Sequence, residues 1–165
     1  MAQLTQLDSK LAEVLGLAQA AQVATRKVAS LAKGDKELVA TLTRMRDEAK
    51  ETEKRCKAVA EKRDGKKTAI NKKARETKGE AAEMLQTYLG GDDADALDGL
   101  EFLIMAEAGE LGHWEIVRTM ATKAKDRNVV KLADWATPIQ NGHFETVRSS
   151  SLALAQEEDP NEPEG

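Results

Sequence analysis

The segment from Leu103 to Val147 contains two short motifs, Glu110-Leu-Gly-His113 and Gln140-Asn-Gly-His143, which hold both histidines of the 165-residue chain. In each motif the histidine follows, three positions later, a residue with a side-chain oxygen. Residues three apart on an α-helix lie on one face, about a turn from each other. A carboxylate and an imidazole in this relation can bind one metal ion, as the Glu-x-x-His motifs of di-metal bundles do. Each motif is therefore a candidate pair of metal ligands.

The two motifs are placed symmetrically about Asp126-Arg127-Asn128, which has the composition of a tight turn between helices. If the flanking helices pack antiparallel, residues equally distant from the turn face each other. The midpoint of positions 110 and 143 is the same as that of positions 113 and 140. This register places Glu110 opposite His143, and His113 opposite Gln140.

The composition indicates an all-α protein. Charged residues make up 33% of the chain, aromatic residues 3%, and there are three prolines, a pattern typical of helical bundles. The length suits a single domain with its own core. We expect one helical domain over residues 1–156 and a disordered acidic tail over residues 157–165.

Several features indicate a cytoplasmic protein. Cys56 is the single cysteine, which leaves no intramolecular disulfide and fits a reducing compartment. The N-terminal residues do not resemble a signal peptide, and no apolar run approaches the length of a membrane span. We therefore expect no membrane partner.

Hydrophobic periodicity predicts five helices. The first four are expected at Leu4 to Ala32, Lys36 to Arg63, Lys66 to Leu89 and Ala94 to Lys125, and the fifth begins at Asn128, which would cap it. The lysine-rich first half of the third helix predicts a position on the outside of the bundle.

Each helix has an apolar stripe that we expect to be buried. The stripe of the first helix passes through Gln22. The second helix buries Leu38, Leu42, Met45, Ala49, Thr52, Cys56 and Val59, and the third Ile70, Ala74, Thr77, Ala81, Met84 and Tyr88. The fourth buries Leu100, Leu103, Ala106, Glu110, His113 and Val117, and the fifth Leu132, Ala136, Ile139, His143 and Val147.

These stripes include polar residues at mid-bundle height. They are Gln22, Glu110, His113, Gln140 and His143, with Glu48 at the edge of the second stripe. Burying a carboxylate costs several kcal/mol unless it is compensated. A metal centre would compensate it, and carboxylate with imidazole suits Fe or Mn. A hydrogen-bonded core network would do so as well, and both explanations stay open.

Most of the chain, from about Leu11 to Ala155, resembles the YciE/YciF-like branch of the ferritin-like proteins, small bacterial stress-associated proteins. The segment Asp98-Gly-Leu-Glu-Phe-Leu-Ile-Met-Ala, followed by Gly112-His113-Trp114-Glu115-Ile116, is similar to one family helix. Asp47-Glu48-Ala49 followed by Arg55 is similar to another. The resemblance implies a ferritin-like four-helix bundle with an additional helix, a homodimer, and a di-iron or di-manganese site.

The chain departs from the family at two expected ligands. Gln22 stands where the first helix would offer a carboxylate, and Gln140 replaces the Glu of the last Glu-x-x-His motif. The expected ligand set is Glu48, Glu110, His113, His143, Gln140 and Gln22, and one ion, two ions or none are all compatible with it.

Three functions compete. The first is a ferritin-like protein that binds iron or manganese and handles peroxide or dioxygen. The second is a metal-free scaffold or protein-interaction module. The third is binding of anions or nucleic acid by residues 54–78, which carry eleven basic and three acidic residues. This segment lacks interleaved aromatic residues and the net charge of the chain is −4, so nucleic-acid binding ranks last.

Overall fold

A computed structural model of the chain describes residues 2–163. Over this range the chain forms five α-helices and no β-strand, which confirms the all-α fold class. The helices are α1 (Gln6–Leu31), α2 (Lys36–Glu61), α3 (Lys67–Leu89), α4 (Ala96–Ala124) and α5 (Arg127–Ala155). The acidic residues after α5 are exposed as far as residue 163, and Glu164 and Gly165 of the expected tail lie outside the described residues.

Short polar side chains determine where the helices begin. Thr5 and Asp8 form a capping box at the start of α1, in which each side chain accepts a hydrogen bond from the other's backbone N–H. Asp126 caps α5 by accepting from the Val129 N–H. The expectation that Asn128 caps this helix is therefore wrong, because the turn is tighter than the sequence suggested and Arg127 is already helical.

The helices form a bundle around α1, which packs against α2, α3 and α4, while α5 packs mainly against α4. The core consists of two apolar clusters along the bundle. One includes Leu11, Trp114 and Val129, and the other includes Val28 and Leu100. Between the two clusters lies a layer in which every helix except α3 contributes polar side chains at mid-length.

The second helix matches its predicted stripe closely. Six of the seven expected residues, from Leu38 to Cys56, are buried and Val59 is partly buried. Cys56 is fully buried, as expected of a packing thiol. The regular alternation of steps of three and four residues explains this success, since it defines one helical face without ambiguity.

The predicted stripe of the third helix is buried only in its first half, at Ile70 and Ala74, and this lysine-rich half does not lie on the outside of the bundle as expected. Its lysine-rich first half packs against α1, where a Cβ atom added to Gly16 would lie 2.5 Å from the Ala74 carbonyl oxygen. In its second half, Met84 and Tyr88 are 52% and 56% exposed instead of buried. Small residues at the contact permit the close approach of the first half, and the long lysine side chains extend past it into solvent.

In the described part of the chain, none of the helices combines the length and the apolar composition that crossing a membrane requires.

Candidate functional site

The polar layer contains a chain of four side chains from three helices, joined by hydrogen bonds and one ion-pair contact, namely Glu48, His143, Glu107 and Gln140. The Nε2 atom of His143 lies 3.2 Å from Glu48 Oε2, and its Nδ1 atom lies 3.6 Å from Glu107 Oε2. The side-chain amide of Gln140 donates to Glu107 Oε2 at 2.6 Å and to the Glu107 backbone carbonyl at 3.1 Å. Glu107, Gln140 and His143 are buried, and Glu48 closes the chain at the edge of the bundle.

The imidazole of His143 lies between two carboxylates. Burial acts to lower the pKa of His143, but the hydrogen bond and charge of Glu107, together with the charge of Glu48, outweigh it and raise the pKa above its usual value. A protonated imidazole can donate from both nitrogen atoms. The site therefore favours a His143 cation that neutralises buried negative charge.

Glu110 lies one turn along α4 from Glu107 and is also buried. Burial raises the pKa of Glu110 well above its ordinary value, and the charge of Glu107 raises it further. The indole N–H of Trp114 lies beside this carboxyl without forming a hydrogen bond of normal geometry. The protein interior therefore favours the neutral form of the Glu110 carboxyl more than solvent does. Burial also raises the pKa of the Cys56 thiol, with Glu110 and Glu53 as negative neighbours.

A second polar group joins α1 to α2. Gln22 donates to Glu53 Oε2 at 2.6 Å, Gln19 donates to Glu53 Oε1 at 3.2 Å, and Lys57 forms an ion pair with the same carboxylate at 2.5 Å. Burial acts to raise the pKa of Glu53, but these hydrogen bonds outweigh it and lower the pKa. Gln22 therefore links α1 to α2 by donating a hydrogen bond to Glu53. The sequence analysis did not identify Glu53 as a candidate site residue.

The expected pairing across the α4–α5 turn is wrong in detail. Glu107, not His113, faces Gln140, and His113 lies on an outer face of α4 with 40% of its side chain exposed. Its Nδ1 atom lies 2.9 Å from the Gly109 carbonyl oxygen and its Nε2 atom 3.7 Å from Glu13. The buried face of α4 is offset from the predicted one, so that Ala106 is partly buried and Glu107 is buried.

Glu107 is the principal residue of the site that the sequence prediction missed. Both Ala106 and Glu107 are compatible in spacing with Leu103 and Glu110, and the apolar residue is the natural choice. The steps from Leu103 through Glu107, Glu110 and Trp114 alternate four, three and four residues, as a packed helix face requires. The predicted series from Leu103 through Ala106 and Glu110 to His113 alternates in the same way, so the spacing gave no signal that favoured Glu107.

The residues of the layer do not fit a metal centre in this arrangement. The two nitrogen atoms of His143 face different carboxylates, so Glu48 and Glu107 lie on opposite sides of the ring and cannot join it around one ion. Gln140 turns its amide N–H, not its oxygen, toward Glu107. Within residues 2–163, no group of three His, Cys, Asp or Glu side chains is arranged to hold an ion.

An apolar cleft of about 280 Å³ adjoins this layer on the side of α3. Its walls come from α1, α3 and α4 and include Leu17, Ala20, Ala81, Leu85, Phe102 and Met105. Glu107 and Glu110 form part of its inner wall, and Lys78 and His113 lie on its border. The second half of α3 thus forms an outer wall of this cleft.

Comparisons of the chain with known protein families, with curated proteins and with solved structures find no match. The class that the fold and the site define is an all-α bundle with a buried polar layer and an adjoining apolar cleft.

Proposed function

We propose that this protein is a metal-independent binding protein with a ferritin-like arrangement of helices, and that it binds a small apolar molecule in the cleft between α1, α3 and α4. The observation that carries the proposal is the cleft itself, whose lining is almost entirely apolar and which lies directly against a buried polar layer. Ligand sites combine these two features, with apolar walls for affinity and a few polar groups for orientation.

The polar layer supports the metal-independent part of the proposal. Glu107 has two partners, Gln140 and His143, and the raised pKa of His143 lets its positive charge offset the negative charge of Glu107. Glu53 is satisfied in the same way by Gln19, Gln22 and Lys57. The buried carboxylate of Glu107 and the partly buried carboxylate of Glu53 therefore need no metal cation to offset the cost of desolvation.

The order of the helices supports the ferritin-like part. The chain begins with the α1–α2 hairpin and ends with the α4–α5 hairpin, and α3 connects the two pairs while packing against α1. This order supports the proposal of a four-helix core with one additional helix. The homodimer, the stress-associated role and the cytoplasmic location stay predictions from the sequence.

Filling the cleft tests the proposal. Ala81→Phe on the α3 wall should occupy the cleft and lower the affinity for a neutral apolar probe, such as octan-1-ol, by at least about tenfold, since it removes most of the buried contact area. Ala58→Phe, at an exposed position of α2 away from the cleft, should leave the affinity unchanged. Isothermal calorimetry measures both. The absence of octan-1-ol binding by the unaltered protein, or equal loss in both variants, contradicts the proposal.

A further inference from the structure

The cleft begins where α1 and α3 move apart. The two helices are in close contact at Gly16, where an added Cβ atom would lie 2.5 Å from the Ala74 carbonyl oxygen and 2.8 Å from the Thr77 Cβ atom. The next residue of each helix, Leu17 on α1 and Lys78 on α3, already lines the cleft. The close contact therefore marks one end of the cleft.

Glu110 lies at this end. Glu13 on α1 is 3.7 Å from His113 on α4, and a Cβ atom added to Gly99 of α4 would lie 2.8 Å from Val28 of α1. The two helices are therefore antiparallel. Glu110 is three residues from His113 on α4, which places it level with the first residues of α1 that line the cleft.

The other end of the cleft is apolar. Val23, Met84 and Met105 line this part of the cleft and are 45%, 52% and 46% exposed, so it reaches the surface of the bundle. At a rise of about 1.5 Å per residue, Glu110 and Phe102 are about 12 Å apart along α4. The cleft is thus amphipathic along its length, which suits a molecule with an apolar body and one polar group.

Glu110 is a buried polar side chain without a hydrogen-bond partner. It is 5% exposed, and no side chain of residues 2–163 forms a hydrogen bond of normal geometry with its carboxyl group. In the same residues, the side-chain N and O atoms that lack both a partner and accessible surface are Gln19 Oε1 and Trp114 Nε1. The Glu110 oxygens are not among them, so they retain accessible surface in the cleft that Glu110 lines.

Glu107, the other carboxyl group of the inner wall, differs from Glu110 in this respect. It accepts a hydrogen bond from Gln140 at 2.6 Å and lies 3.6 Å from His143. The fold therefore supplies the partners of Glu107 and leaves Glu110 facing the cleft. Because a buried polar group without a partner raises the free energy of the protein, a bound molecule that supplies the partner gains affinity.

A hydroxyl group is the matching partner for Glu110. A carboxyl group accepts hydrogen bonds when it is ionised and donates one when it is protonated, whereas a hydroxyl group both donates and accepts. The match therefore holds for either form of Glu110. A charged group would have to leave water for a lining that is almost entirely apolar, so a neutral polar group fits this end best.

We infer that the cleft binds a small neutral alcohol, whose hydroxyl group forms a hydrogen bond with the Glu110 carboxyl and whose apolar body extends toward Phe102. The inference rests on the proposed function of the cleft, and it adds the chemical class of the molecule and the residue that orients it. The volume of about 280 Å³ limits this class to small molecules.

The test measures the coupling between the hydroxyl group of the probe and the Glu110 side chain. Octan-1-ol and 1-chlorooctane share one alkyl chain, and only the first has a hydroxyl group. Glu110→Leu should lower the affinity for octan-1-ol by about tenfold without lowering that for 1-chlorooctane, so the ratio of the two affinities should fall at least about tenfold. This ratio cancels the different hydrophobicity of the probes. Calorimetry with the full chain titrated into each probe measures it.

Two further variants locate the hydroxyl group. Glu110→Gln retains a donor and an acceptor and should keep the ratio within about threefold of its value in the unaltered protein. Lys78→Met changes the other polar residue at the start of the cleft and should keep the ratio within about twofold. Because Lys78 is exposed, its replacement should not prevent folding, which circular dichroism checks.

The melting temperature without ligand distinguishes a ligand contact from a structural one. Because no described residue pairs with the Glu110 carboxyl, Glu110→Leu should not lower the melting temperature of the ligand-free protein. A lower melting temperature would show that Glu110 stabilises the fold through its own partners and would overturn the inference.

The outcomes separate the inference from the proposed function. Binding of octan-1-ol with an unchanged ratio in Glu110→Leu overturns the contact with Glu110 and retains the apolar cleft as a binding site. A fall of the ratio in Lys78→Met alone, or an equal fall in Glu110→Gln and Glu110→Leu, also overturns the assigned contact. Binding of neither probe overturns the proposed function and this inference together.

Discussion

The Nε2 atom of His143 on α5 lies 3.2 Å from the Oε2 atom of Glu48 on α2, which joins two helices that are not neighbours in the chain. The same ring reaches Glu107 on α4 through Nδ1. One buried imidazole therefore links three helices. In a bundle whose two apolar clusters are separated by a polar layer, this link aligns the helices at mid-length.

Loss of this link should lower stability. His143→Ala leaves Glu107 without the imidazole and should reduce the free energy of unfolding by about 1–3 kcal/mol, the cost of an unsatisfied buried partner. His113→Ala is the matched control at a partly exposed position, and its effect should stay within about 0.5 kcal/mol. Urea denaturation followed by circular dichroism measures both. Equal losses would show that His143 is not the structural link described above.

The contribution of His143 should depend on pH in a defined direction. Its folded-state pKa is raised above the ordinary value of 6.5 by Glu107 and Glu48. Its contribution is therefore complete below pH 6.5 and is lost as the pH rises through the folded-state pKa. The difference in unfolding free energy between the unaltered protein and His143→Gln should be larger at about pH 6 than at about pH 9. If the difference in unfolding free energy grew with pH, it would contradict the upward shift of the His143 pKa.

Replacement of Gln140 tests whether the layer can become a metal site. Gln140→Glu places a second carboxyl group where an amide now donates to Glu107 at 2.6 Å. Without metal, stability should fall by about 1–3 kcal/mol, because a donor is lost and two acceptors face each other. Added Mn²⁺ should restore stability, since a cation can bind both carboxylates.

Elemental analysis compares the metal content of the Gln140→Glu variant with that of the unaltered protein. The unaltered protein should hold no stoichiometric iron or manganese after anaerobic incubation with either ion, and Gln140→Glu should hold more of the metal. One or two equivalents in the unaltered protein, lost in His143→Ala, would instead support the metal site predicted from the sequence.

Asp8 should make the protein sensitive to acid. This buried carboxylate pairs with Lys66 at 2.7 Å and with Arg63, which also pairs with Asp126. Burial acts to raise the pKa of Asp8, but the hydrogen bonds from Lys66, Thr5 and Arg63 outweigh it and hold the pKa far below 3.8. Its contribution is thus present above pH 3.8 and is lost as the pH falls through the folded-state pKa.

Asp8→Asn should therefore cost about 1–3 kcal/mol at neutral pH and progressively less in strong acid. Asp64→Asn changes an exposed acid close to the same end of the bundle and should have little effect. Thermal denaturation over a pH series measures both variants. A penalty for Asp8→Asn that is independent of pH would exclude the ion pairs as its cause.

The contact between α1 and α3 should tolerate no added atom at Gly16. A methyl group there would lie 2.5 Å from the Ala74 carbonyl oxygen and 2.8 Å from the Thr77 Cβ atom, and Gly16→Ala should destabilise the protein by about 1–3 kcal/mol through overpacking. Gly142 provides the control, since a Cβ atom there meets nothing within 4 Å. Gly142→Ala should stabilise α5 by about 0.5–1 kcal/mol, and a loss comparable to that of Gly16→Ala would contradict this explanation.

The sequence by itself determined the fold class, the five helices and the buried face of α2. These follow from local physical chemistry, because periodicity, capping residues and turn residues act over a few positions. Of the polar residues predicted at mid-bundle height, Gln140, His143 and Glu110 are buried, whereas Gln22 is partly buried and His113 lies on an outer face.

The tertiary structure alone decided which side chains meet. Either Glu107 or His113 could share a buried face of α4 with Glu110. Local spacing does not determine how α4 is rotated against α5. A carboxylate is buried where other helices offer it donors, and Gln140 and His143 offer them to Glu107. Tertiary packing also decided the cleft. The first half of α3 packs closely against α1 at Gly16, and the second half leaves Met84 and Tyr88 on the surface.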